Sequence, residues 1–398
     1  MQIVVQGRNI SKSALIFLLD TNSSNSPHQA RTCTPLPGAM RNNLLRVCLL
    51  VVLSATMPSL AQSQPSGISQ EFIYTNAPFP SAHASTLVQL KNGDILAAWF
   101  GGAREGATDV AIWAARRTSA GWSQPFLLVR EPNVPCWNPV LFETHDGKLW
   151  MYYKYGRNPR EWTGARLVST DNGKTWSQPE HLAAGVLGPI KDKPLVLPNG
   201  AVVSGTSVES YSSWAVWVDR STDNGKTWRR SGPVSVPHNL LPAPTPVEQP
   251  LKPGSEHVTG IIQPTIVQIS KKHLRLYARS TRDIGRICAA DSYDEGLTWT
   301  DAHPLDLPNP NSGIDAVGLH DGRIVMIYNN TTTGRTPLNL AVSNDGEHFT
   351  MFSTLESEPG EYSYPAIIQG PDSNLYATYT WNRKRISFAR IPLSAVPK

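Results

Sequence analysis

Ser169-Thr-Asp-Asn-Gly-Lys-Thr-Trp176 is a stretch that returns nearly unchanged at residues 221–228 and, as Ser-Tyr-Asp-Glu-Gly-Leu-Thr-Trp, at residues 292–299. A worn copy, Ser-Asn-Asp-Gly-Glu-His-Phe, occupies residues 343–349. Self-similarity at a fixed step is the mark of a repeat architecture. The chemistry of the pattern is local. Asp bonds nearby backbone amides and Gly accepts positive φ, which makes a tight turn. Thr and Trp then suit a strand, where the indole covers the turn. Each copy therefore predicts a hairpin with a polar tip and an aromatic plug. Such a turn holds modules together and touches no substrate.

Working outward, each turn follows the same module: a strand, an Asn-Gly or Asp-Gly hairpin signal, a second strand and a third. The first module runs 85–90, Asn92-Gly93, 95–100 and 110–115, and keeps only the Trp-Ser-Gln-Pro ending at residues 122–125. Five more follow, beginning at Pro139, Pro194, Pro264, Ile314 and Pro365. Ser169 and Ser221 are 52 residues apart and Ser292 and Ser343 are 51 apart, but Ser221 and Ser292 are 71 apart. The excess falls in a Pro-rich insertion at residues 236–254, a long surface loop. Six modules of about 50 residues predict an all-β, six-bladed β-propeller, with seven blades as the alternative. The strand at Glu71 is expected to complete the last module and close the ring, so that residues 71–398 form one domain.

The 398 residues include 29 Gly, 33 Pro and 12 Trp, with 40% apolar and 17% charged residues. That profile suits a turn-rich protein with a real core. Residues 40–61 read as a signal peptide, with Arg41 and Arg46 before an apolar run and Ser59-Leu60-Ala61 as the cleavage site. The apolar run is short for a membrane span. Residues 1–39 read as an upstream extension that is not native, Met40 as the true start, and residues 62–70 as a linker. Export, to the periplasm or the exterior, follows. With residues 1–61 set aside, 31 basic and 30 acidic residues remain. The basic balance of the whole chain is then no sign of nucleic-acid or membrane binding. Cys136 and Cys288 could form one disulfide. No Cys or His spacing implies a metal, and no cofactor is expected.

These repeats resemble those of the sialidase (neuraminidase) superfamily and its bacterial-neuraminidase-repeat relatives, over about residues 71–391. The resemblance implies a glycan substrate with an acidic sugar, a triad of arginines on its carboxylate, a Tyr nucleophile assisted by Glu, and an Asp acid/base. Arg104 and Asp109 match the first-module segment that carries the acid/base. Arg279 and Arg335 match the second and third triad arginines, and Tyr362 the nucleophile. A neutral phenol avoids the repulsion a carboxylate would meet from an anionic sugar. Two departures stand out. His83 occupies the neighbourhood of the first triad arginine, where it could act as general acid/base. Gln263 stands where the Tyr-polarising Glu belongs, with Glu361, Glu256 or Asp315 as possible replacements. Asp315 belongs with Lys191-Asp192-Lys193, Cys136-Trp137-Asn138, Lys154, Arg157, Arg160-Glu161-Trp162 and Asn309–Gly313 to a polar and aromatic rim suited to sugars. The leading expectation is an exported exo-glycosidase that removes a terminal acidic sugar. Two alternatives stay open: a hydrolase or lyase of rhamnose–glucuronate linkages using His83, and a glycan-binding propeller without turnover.

Overall fold

A computed structural model describes residues 67–210, 212–241 and 258–398. The extension, the signal peptide, residues 62–66 of the linker and residues 242–254 of the insertion lie outside them. Among the described residues, no helix is long and apolar enough to cross a membrane.

Repeated hairpin chemistry gives six antiparallel units in chain order, numbered as sheets 1 to 6, of which the third and fourth are joined into one hydrogen-bonded sheet by a short parallel pairing. Sheet 1 comprises Ser81–Gln89, Ile95–Gly102, Ala111–Thr118, Gly121–Trp122 and Phe126–Val129. Sheet 2 comprises Cys136–Glu143, Leu149–Tyr155, Thr163–Ser169 and Glu180–His181. Sheet 3 comprises Leu195–Val196, Val202–Glu209, Ser213–Ser221 and Arg229–Val234. Sheet 4 comprises Thr259–Gln268, Leu274–Ser280, Arg286–Ser292 and His303–Pro308. Sheet 5 comprises Asp315–Gly318, Ile324–Tyr328, Leu338–Ser343 and Thr350–Glu356. Sheet 6 comprises Tyr362–Gln369, Leu375–Trp381 and Arg385–Ile391. Its fourth strand is Ser69–Phe72, which pairs with Arg385–Ile391. The chain's first described strand thus completes its last sheet.

The core is divided among the sheet interfaces. One apolar cluster joins sheets 1 and 2, and others join 2 and 3, 3 and 4, 4 and 5, 5 and 6, and 6 and 1. The order of packing therefore returns to its start. The Asp turns fix these interfaces. In the copy beginning at Ser169, the Ser169 hydroxyl accepts from Gly173 N at 2.9 Å and donates to Asp171 Oδ1 at 2.8 Å. Asp171 in turn accepts from Thr175 N at 2.9 Å and Thr175 Oγ1 at 2.6 Å. The copies beginning at Ser221 and Ser292 repeat these bonds. Trp176, Trp228, Trp299 and Phe349 each pack into the cluster shared with the preceding sheet. A side chain of that preceding sheet also grips each turn's backbone: Arg116 on Asn172, Arg166 on Gly225, Arg220 on Glu295 and Tyr277 on Gly346. All four turns follow the third strand, at the edge opposite the start of the first.

Cys136 and Cys288 are not bridged. Each is a free, buried thiol in a different apolar cluster. Burial pushes both up to about 12.

Candidate functional site

The first strands of four sheets share one irregularity. Register shifts fall between His83 and Thr86, Trp137 and Val140, Ile262 and Thr265, and Ser363 and Ala366. Inside each shift one residue other than glycine is left-handed: Ala84 at φ 56°, Asn138 at 35°, Gln263 at 53° and Tyr364 at 50°. Each such residue costs about 1–2 kcal/mol in local strain. A bulge of this kind bends the strand and re-aims a side chain. Here Gln263 and Tyr364 are re-aimed so that their side chains meet.

Around that meeting point stand three arginines. Arg279, buried at the end of the second strand of sheet 4, donates through Nη1 to Tyr364 Oη at 2.9 Å and to Gln263 Oε1 at 2.9 Å. Its Nη2 donates to Asn311 Oδ1 at 2.6 Å. Gln263 Nε2 also donates to Tyr364 Oη, at 3.2 Å. Arg335 precedes the third strand of sheet 5, and its guanidinium lies 5.7 Å from the Tyr364 ring centre, as does that of Arg279. Burial lowers the pKa of Arg335, and the neighbouring Arg279 lowers it further. The third cation, Arg383, comes from the hairpin turn of sheet 6, where Asn382 and Arg383 both have positive φ and Lys384 N donates to Trp381 O. Glycine is the usual second residue of such a turn. An arginine held there is a strained placement of the sort found at functional sites. Arg335 Nη1 and Arg383 Nε both donate to Glu361 Oε1, and Arg383 Nη1 pairs with Glu105. Arg279, Arg335, Asn311, Gly360, Glu361 and the exposed Arg282 line an open cavity of about 370 Å³.

His83 lies against Tyr364, ring centres 4.2 Å apart, and is fully buried. Neither ring nitrogen has a partner among the described residues. Burial, reinforced by Arg383, Arg335, Arg279 and Lys191, holds its pKa well below the ordinary value, so it is neutral. Lys191, also buried, donates to the carbonyls of Pro365 and Ile314 and to Asp192, each within 2.6 Å. Burial pushes the Asp192 carboxyl up to about 7, against the pull of Lys191.

The structure thus brings together His83, Gln263, Arg279 and Arg335. It does not bring Tyr362, Asp315, Arg104 or Asp109 to them. Tyr362 packs into the apolar cluster between sheets 5 and 6, because it precedes the bulge; Tyr364, inside the bulge, faces the arginines instead. Asp315 is buried and saturated by Lys193 Nζ, Thr265 Oγ1 and the Ile367 amide, so it fastens sheets 4, 5 and 6 to one another. Arg104 and Asp109 are exposed on one loop, where Asp109 Oδ2 accepts from the Ala103 amide at 2.9 Å. The residue of that loop that reaches the cluster is Glu105. Sequence reasoning missed Tyr364, Arg383 and the role of Glu105. A usable signal was present for the bulges: Asn138, Gln263 and Tyr364 each stand before a proline at the same point of their modules. Among the described residues, no group of His, Cys, Asp and Glu could hold a metal ion.

The model of the family described as BNR repeat-like domain matches residues 93–377. No curated protein matches the chain. Among solved structures, it is similar to a protein of unknown function from Dyadobacter fermentans, at 17% identity over 82% of this chain and 99% of that one, with a TM-score of 0.67. The NanB sialidase from Streptococcus pneumoniae is 13% identical over 82% of this chain and 71% of its own, with a TM-score of 0.64. The intramolecular trans-sialidase from Ruminococcus gnavus is 14% identical over 82% and 98%, with a TM-score of 0.61. These likenesses establish an all-β, sialidase-like fold.

Proposed function

The chain belongs to the BNR repeat-like domain family, within the sialidase superfamily, and we propose that it is an exported exo-glycosidase acting on a terminal sugar that bears a carboxylate. Its six sheets are then the blades of a β-propeller, and the arginine cluster lies at one end of the axis. The observation that carries this reading is the convergence of Arg279 and Arg335 on one tyrosine beside an open cavity, with Arg383 tied to Arg335 through Glu361. Guanidinium groups match a carboxylate in both charge and fork geometry.

Tyr364 takes the nucleophile's role expected of Tyr362. Its oxygen accepts from Arg279 and Gln263, which hold the phenol in one orientation beside the arginines. With the sugar carboxylate on the arginines, the Tyr364 oxygen is the group beside the anomeric carbon. A direct acid/base role for His83 is disfavoured by its burial against Tyr364 and its depressed pKa. A second reading has one specific support. No carboxylate bonds Tyr364 Oη among the described residues, which favours a glycan-binding propeller without turnover.

The test is release of methylumbelliferone from aryl glycosides of N-acetylneuraminic acid, glucuronic acid and galactose. Release from an acidic glycoside but not from the galactoside, abolished by Arg279→Ala, is expected. Equal release from the neutral glycoside would defeat the proposal. Binding of the acidic sugars without release would transfer support to the second reading.

A further inference from the structure

Ser207 fixes the direction in which one face of the second strand of sheet 3 points. Its hydroxyl accepts from the Gln263 amide at 3.3 Å. Alternate residues of a strand share a face, so Glu209, two positions on and about 7 Å further along, faces the same way at the strand's end. The exposure alternates accordingly: Ser207 is buried, Val208 exposed and Glu209 intermediate. Glu209 stands directly across from Trp214 on the next strand. Trp214 in turn lies beneath the Arg279 guanidinium, 5.9 Å from its ring centre. Trp214 also marks the junction of sheets 3 and 4, where it pairs with Gly260. A Cβ on Gly260 would come within 2.1 Å of the Trp214 carbonyl, so the junction is tight.

We propose that Glu209 is the general acid/base of the site, the carboxyl that protonates the departing glycosidic oxygen. The assignment rests on the glycosidase reading above. In the first step the bond from the anomeric carbon to the glycosidic oxygen breaks, and that oxygen keeps the electron pair and takes the Glu209 proton. The Tyr364 oxygen bonds the anomeric carbon as its phenolic proton passes to solvent water. In the second step water attacks that carbon, its proton goes to the Glu209 carboxylate, and the Tyr364 oxygen departs and regains a proton from solvent. The environment suits the role. Burial raises the Glu209 pKa above the ordinary carboxyl range, opposed by Arg279 and Arg160 and assisted by Glu105. Glu105, by contrast, is held in an ion pair with Arg383. Two carboxyl groups placed in unlike surroundings are the usual basis for dividing acid from base.

Glu209→Gln keeps the shape and removes the proton. The experiment compares kcat/KM of wild type, Glu209→Gln and Glu209→Asp on one acidic sugar carried by two leaving groups, a nitrophenol and a second sugar. Protonation matters little for nitrophenolate and greatly for a sugar alcohol. Glu209→Gln is expected to lose about a hundredfold or more on the sugar-linked substrate and less than about tenfold on the aryl glycoside. The alkaline limb of the pH profile is expected to vanish, with an unchanged melting temperature. Glu209→Asp is expected to keep that limb. Equal losses on both substrates, or none, would overturn the assignment and leave the glycosidase reading standing. No release by wild type from either substrate would overturn that reading, and the assignment of Glu209 with it.

Discussion

Arg335 and Arg383 share one oxygen atom. Glu361 Oε1 accepts from Arg335 Nη1 at 2.9 Å and from Arg383 Nε at 2.7 Å, although the two arginines come from different sheets. The Ser363 hydroxyl donates to the same atom at 3.1 Å. One carboxylate therefore positions two of the three cations and ties sheet 5 to sheet 6.

Glu361→Ala leaves Arg335 beside Arg279 without its counter-charge and leaves Arg383 held by Glu105 alone. Charge-assisted bonds of this kind are worth about 1.5–3 kcal/mol when desolvated, and these side chains are partly exposed. A stability loss of about 1–2 kcal/mol is expected, read from the urea midpoint, together with a rise in KM for an acidic glycoside. Glu361→Gln keeps the shared acceptor and should lose less. An unchanged midpoint in Glu361→Ala would show that the arginines hold their places without it.

The two tyrosines of the sixth sheet's first strand separate cleanly. Tyr364→Phe removes the oxygen that Arg279 and Gln263 address, and turnover should fall by two orders of magnitude or more with little change in melting temperature. Tyr362→Phe alters a side chain packed in the core and should leave turnover within about twofold, at a stability change of order 1 kcal/mol. Steady-state kinetics on both variants is decisive. A larger loss in Tyr362→Phe would restore the expectation drawn from the sequence.

His83 makes stability depend on pH. Its folded pKa is depressed below about 6.5, so below that pH the unfolded chain binds a proton that the folded chain refuses. Stability from this group is complete above the unfolded pKa and is lost as pH falls towards the folded one. The slope is about 1.4 kcal/mol per pH unit. Asp192, raised to about 7 by burial, contributes a slope of the opposite sign between about pH 4 and 7. The measurement is therefore a difference: urea unfolding of wild type and His83→Phe from pH 4 to 7. A flatter acid limb is expected in the variant. Identical slopes would mean that His83 is charged in the folded protein.

Cys136 and Cys288 should resist a thiol reagent in the native protein and react once it is unfolded. Burial raises both thiols far above neutral pH and removes them from solvent. Absorbance with a disulfide reagent, before and after denaturant, follows this. Prompt labelling of the folded protein would contradict the packing described for both clusters.

The fold was legible because its signals are local. Ser169, Asp171, Gly173 and Thr175 bond one another within a few residues, so the turn is encoded where it forms. Counting from these turns located Arg279 and Arg335. Tyr364 and Arg383 escaped the count because their directions depend on exceptions to strand geometry. A bulge reverses the alternation that favoured Tyr362, and a left-handed turn carries Arg383 where glycine is the ordinary choice. Asp315 looked like a rim residue until its partners on the two flanking sheets and Lys193 were known. Such long-range company leaves no trace in a single sequence.

The four bulges set durability against activity. Glycine at Asn138, Gln263 or Tyr364 would relieve a strained backbone and erase the side chain that the strain serves to aim. Selection for heat resistance alone would be drawn to these positions, and would return a hardier protein with an empty site. An engineer seeking stability should leave them untouched and work on the edge strands.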